Sequence, residues 1–113
     1  MPPILFLIFN RPDKTRAVFE TIRQARPARL YIAADGPRSD SEAAICDETR
    51  SILNEVDWPC EVQTLFREQN LGCGRAVSGA ITWFFEHEPE GIILEDDILV
   101  DPDFCELAAE MLE

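Results

Sequence analysis

Residues 4–36 read ILFLIFNRPDKTRAVFETIRQARPARLYIAADG, and the order of patterns inside this stretch decides the fold. Residues 4–9 form an unbroken apolar run, the composition of a strand buried on both faces. Asn10, Arg11 and Pro12 interrupt it. Val18, Ile22 and Ala25 then recur at helical spacing with Phe19 alongside, which gives a helix one apolar face. Pro27 lies just beyond, where a helix cannot continue. Residues 30–34 form a second strand closed by the turn sequence Asp35-Gly36-Pro37. Strand, helix and strand at these lengths make a right-handed βαβ unit, whose two strands are parallel.

The alternation continues along the chain. Ser39 and Glu42 make a capping-box pattern ahead of a helix whose inward side is read as Cys46, Thr49, Ile52 or Leu53, and Val56. Trp58-Pro59 ends that segment, and residues 60–66 alternate Cys60, Val62, Thr64 and Phe66 against Glu61 and Gln63, as a strand does. A polar, glycine-containing loop over 67–74 leads to a helix with Val77, Ala80, Ile81 and Phe84 on one face. A fourth strand over 91–94 delivers Glu95, Asp96 and Asp97. Asp101-Pro102 then opens a last helix with Phe104, Leu107, Ala108, Met111 and Leu112 as its stripe. The predicted fold is α/β, a Rossmann-like and mainly parallel sheet with helices on both faces, over residues 1–113. Ending on an amphipathic helix, the chain reads as the first part of a larger domain.

Composition narrows the partners. With 22 Asp and Glu against 10 Lys and Arg, the net charge of -12 repels a phosphate backbone or an anionic membrane, so nucleic acid is not an expected partner. The apolar run over 4–9 is too short to span a bilayer and lacks the basic flank of a signal peptide. Cys46, Cys60, Cys73 and Cys105 lack CxxC spacing and could in principle form two disulfides, but without a secretion signal reduced thiols and a cytoplasmic setting are expected.

In parallel sheets, ligands bind outside the carboxyl ends of the strands, near the switch in strand order. Three consecutive carboxylates at such an end repel one another and persist most easily with a hard cation. Mg²⁺ or Mn²⁺ bridging a diphosphate is the sharp reading, and an acidic turn is the plain one. Alternation sets Glu95 and Asp97 on one side and Asp96 on the other, and Asp97 is read as the metal ligand. Asp35 could accept a hydrogen bond from a base N–H or a ribose hydroxyl, or simply form an Asp-Gly-Pro turn. Arg11, beside Asn10, could pair with a phosphate or with the clustered acids. Arg75 begins a helix after a glycine-rich connection, where it either favours an anion or counters the acids. His87 reads as a solvent-facing residue near a helix end. Neither GxGxxG after the first strand nor GxxxxGK[ST] is present, which disfavours a dinucleotide site and a P-loop.

Taken together, FNRP at 9–12, AADGP at 33–37, NLGCGRAVSGAI at 70–81 and EDD at 95–97 resemble the nucleotide-sugar-binding half of a GT-A glycosyltransferase. The chain is most similar to the family-2-like bacterial enzymes, and EDD also resembles the eukaryotic N-acetylglucosaminyltransferase I type. This resemblance implies Asp97 on Mn²⁺ or Mg²⁺ as the final acid of a DxD-like signature. Asp96 is then placed near the donor ribose or the metal, with Glu95 in support. It further implies Asp35 at the base, often uracil, with Asn10, Arg11 and Arg75 lining the donor pocket. A nucleoside diphosphate sugar, with UDP-sugar favoured, would be the donor, and transfer to an acceptor hydroxyl would be inverting. The general base and acceptor site follow the DxD region in that family, so both are expected to lie outside this chain. Bacterial polysaccharide synthesis is the implied setting.

Other readings start from the same residues. A sugar-nucleotide pyrophosphorylase should carry a glycine-rich basic loop after its first strand, where this chain has FNRP. A phosphoacceptor receiver domain should carry acids where this chain has Phe9 and Phe66. A non-catalytic carbohydrate or protein interaction domain on the same fold, or another metal-dependent nucleotidyltransferase, stands as the alternative.

Overall fold

The computed structural model describes residues 1–96. Four strands, β1 (Ile4–Ile8), β2 (Arg29–Ala34), β3 (Glu61–Phe66) and β4 (Ile92–Glu95), form one parallel sheet in the order β3-β2-β1-β4. Three helices join them: α1 (Pro12–Ala25), α2 (Ala43–Arg50) and α3 (Cys73–His87). The strand order runs outward from β1 to β3 and then returns to the far side of β1 for β4. The switch point therefore lies between the carboxyl ends of β1 and β4.

Every residue of β1 is buried, as its unbroken apolar composition requires. Ile4, Phe6 and Ile8 share a core with Leu30, Ile32, Leu94 and, from α1, Val18, Phe19 and Ile22. Ile52 and Trp58 close this core from the segment after α2, and Trp58 donates its indole N–H to the Pro27 carbonyl at 2.8 Å. Leu5, Leu7, Tyr31 and Ala33 point to the other face, under Ala80 and Phe84 of α3. The sheet is thus covered by α1 and α2 on one side and α3 on the other, the α/β arrangement expected from the alternation.

Local signals set the helix ends. Pro12 stands in the first turn of α1, where its missing N–H removes no helical bond. Arg26 ends the helix in the left-handed region at φ 52°, its N–H returning to the Ile22 carbonyl. The capping box expected from Ser39 and Glu42 does not form. Ser39 makes no side-chain cap bond, and its hydroxyl meets that of Ser41 instead. A 3₁₀ turn, Asp40–Glu42, precedes α2, and another, Ser51–Glu55, extends it. The physical reason is competition: the Glu42 carboxylate is taken by the Arg38 N–H, the Arg38 guanidinium and Asn10, and both of its oxygens are engaged away from the Ser39 N–H.

No described helix is long and apolar enough to cross a membrane. The last predicted helix and its stripe fall outside the described residues.

Candidate functional site

The carboxyl edge of the sheet carries three loops, which follow β1, β2 and β3. Asp35 ties the second to the third. Its Oδ1 accepts the backbone N–H of Gly36 and of Leu71, each at 2.8 Å. Its Oδ2 accepts Asn70 Nδ2 at 3.0 Å and the Gly72 N–H at 3.1 Å. Asn70 also donates to the Gly36 carbonyl at 2.8 Å. Arg50 of α2 clamps the same strand ends from the other side. Its Nη2 donates to the carbonyls of Asp35 at 3.0 Å and Arg67 at 2.6 Å, while its guanidinium lies over the Phe66 ring. The loops pack so closely that a Cβ on Gly36 would sit 2.4 Å from the Gln69 carbonyl carbon.

Glu42 ties the first loop to the second. It accepts Asn10 Nδ2 at 2.9 Å, the Arg38 N–H at 2.8 Å and the Arg38 guanidinium. Hydrogen bonds from the Arg38 side chain, followed by its backbone N–H, hold the Glu42 carboxyl down at about 2. Arg38 in turn lies over the Phe9 ring, 5.4 Å from its centroid.

Two adjoining hollows open on this edge. The first, of ≈ 200 Å³, has an apolar floor that includes Ala33, Leu65, Val77 and Ala80, with Asp35, Arg38 and Arg67 as its charged lining. The second, of ≈ 230 Å³, lies at the switch point and is bordered by Asn10, Arg11, Glu95 and Asp96. Both share Leu7 and Ile8 at the end of β1 and Phe9 just beyond it, and both touch Cys73 and Val77 of α3.

No protein-family model matches this chain, and a search of curated proteins finds no match.

Of the residues singled out in the sequence, Asn10, Arg11, Glu95 and Asp96 are brought to one hollow and Asp35 to its neighbour. Arg75 lines neither; it is exposed in the first turn of α3, while Cys73, Ala76, Val77 and Ala80 take the side that faces the first hollow. Asp97, the expected metal ligand, lies outside the described residues. Glu95 pairs in register with Leu7 and Asp96 follows in a turn, so two carboxylates reach the switch point within the described chain. No group of three or more His, Cys, Asp or Glu suited to a metal ion occurs among the described residues. By themselves these residues do not build a metal site.

Sequence reading missed Arg67, Arg38, Glu42 and Arg50. Arg67 directly follows β3 as Asp35 follows β2, so the rule that selected Asp35 also points to it. The Arg38–Glu42 pair is visible as opposite charges four apart. Nothing in sequence signals that Arg50 reaches two strand ends.

Proposed function

We propose that the carboxyl edge of this sheet binds a nucleoside diphosphate, the part of a nucleotide sugar that leaves when the sugar is transferred. The observation that carries this reading is the pairing of an apolar hollow with a second hollow at the switch point, whose charged and polar border is Asn10, Arg11, Glu95 and Asp96. Nucleotide ligands need both, and parallel sheets offer them at this place. Arg11, bordering the switch-point hollow, would pair with a phosphate, and a cation at Glu95 and Asp96 would offset the negative charge met there.

Two readings share this binding mode. In one, the chain is the donor half of a metal-dependent glycosyltransferase, which requires Asp97 to complete a cation site and an acceptor site from elsewhere. In the other, it is a binding domain without catalysis on the same fold. The described residues favour the second, because they hold no metal-ligating group of three.

Calorimetric titration with CDP, UDP and GDP, each with Mn²⁺ and with EDTA, tests both. The expected result is saturable binding of at least one diphosphate. Binding that persists in EDTA assigns a binding domain. Binding that requires Mn²⁺ and vanishes in Asp97→Ala assigns the transferase reading. A folded sample that binds none of the three overturns the proposal.

A further inference from the structure

The charged groups lining the apolar hollow are one carboxylate, Asp35, and two guanidinium groups, Arg38 and Arg67. An ionised carboxylate offers about four acceptor positions. Asp35 receives four donors: the N–H groups of Gly36, Leu71 and Gly72 and the amide of Asn70. It has no position left for a ring N–H without losing the loop. Both guanidinium groups of the hollow are donors only. Arg38 is engaged by Glu42 and stacked on Phe9. The guanidinium of Arg67 makes no hydrogen bond or ion pair among the described residues.

Arg67 lies close against α3. Its Nη2 lies 2.8 Å from where a Cβ on Gly79 would stand, in the middle of α3. A glycine inside a helix is unfavourable by about 1 kcal/mol relative to alanine, and here its bare Cα makes room for the guanidinium beside the hollow. Asn70 Oδ1 is the other side-chain acceptor at the rim, on an exposed residue whose amide hydrogens are both used.

We infer that Arg67 reads the base, and that the hollow selects a ring with two adjacent hydrogen-bond acceptors. A guanidinium fork matches two neighbouring acceptors, as it does on the O6 and N7 edge of guanine. Cytosine offers the same chemistry through O2 and N3. Uracil breaks it, because an imide N–H stands between its two carbonyls and leaves the fork no adjacent pair of acceptors; with Asp35 saturated, only the exposed Asn70 Oδ1 is left to take that proton. This inference rests on the nucleoside diphosphate reading and departs from the uracil implied by the family resemblance.

The test compares the dissociation constants of CDP, GDP and UDP on the chain, on Arg67→Lys and on Gly79→Ala. Arg67→Lys keeps the charge but removes the fork. Gly79→Ala adds a good helix former and displaces the guanidinium, so lost selectivity there cannot be lost folding; circular dichroism and melting confirm the fold of both. The expected result is that CDP or GDP binds about tenfold or more tightly than UDP, and that the ratio falls toward one in both variants. Whichever of CDP and GDP binds tighter names the base. UDP binding as tightly as the better of the two, or a ratio unchanged in both variants, overturns the inference and leaves the binding site standing. Failure of all three diphosphates overturns both.

Discussion

A carboxylate at the end of a strand can hold the protein's own backbone or a ligand, and Asp35 is occupied with the first task. Four donors from the β2 and β3 loops converge on its two oxygens. Removing it leaves the N–H groups of Leu71 and Gly72 without their acceptor in a part-buried loop. Asp35→Ala should therefore destabilise the domain by about 1–3 kcal/mol. Urea unfolding should register this as a lower midpoint with an unchanged slope. Asp35→Asn should also be destabilised, since its amide nitrogen would face donors. Full stability in Asp35→Asn would mean that the carboxylate is not a structural tie. Next to it, Gly36 can carry no side chain, because the Gln69 and Asn70 backbone occupies the place of a Cβ.

At the scale of elements, the helix ends show where local rules prevail and where a neighbour overrides them. α1 begins on Pro12, which the sequence reading took only as part of the break after the first strand, and α2 loses its capping box to Arg38. Arg26 closes α1 at φ 52° although it carries a Cβ, a conformation that glycine adopts without the steric penalty. Its side chain is exposed, so little packing is lost on replacement. Arg26→Gly should raise stability by up to about 1 kcal/mol, and a domain of this size should then melt several degrees higher. An unchanged or lower melting temperature would mean that the arginine side chain contributes more than the strain it imposes.

The molecule as a whole is pinned at both edges of its sheet by ionised clusters, and this sets its pH range. Opposite the hollows, the buried Glu88 accepts Arg29 Nε at 2.6 Å, Arg29 Nη2 at 2.9 Å and the Tyr31 hydroxyl at 2.7 Å. Arg29 holds the Glu88 carboxyl below its ordinary value, and burial, followed by the bond to Glu88, pushes Tyr31 up to about 12. Glu42 at the upper edge is held at about 2 against an ordinary 4.5. Both carboxylates bind protons more readily in the unfolded chain. Their contribution is thus present above the ordinary carboxylate value and lost as pH falls below it. Tyr31 acts in the opposite sense: its contribution is complete below 10.0 and is lost as pH rises toward about 12. Stability measured against pH should decline on both sides of this window, with a shallower acid limb in Glu88→Gln. Tyr31 is the sole tyrosine, so phenolate absorbance reads it directly. A folded-state midpoint near 10 would show that neither burial nor the bond to Glu88 acts on the phenol.

Residues 4–36 decided the fold by themselves, because a continuous apolar run, a helical stripe and a second run are local patterns that hold wherever the chain goes. The same periodicity placed Asp35, Glu95 and Asp96 at strand ends, and so on the edge where ligands bind. What the sequence left open was relation across distance. The side of β1 on which β4 pairs, and hence the switch-point hollow, depends on long-range registers such as Leu7 with Glu95. The saturation of Asp35 depends on donors 35 to 37 positions away, which arrive only when β2 and β3 pair and bring the 70–72 loop alongside. Arg67 read in sequence as part of a polar loop. Only the packing of α3, with Gly79 leaving room, made it the donor group that faces the hollow without a partner among the described residues.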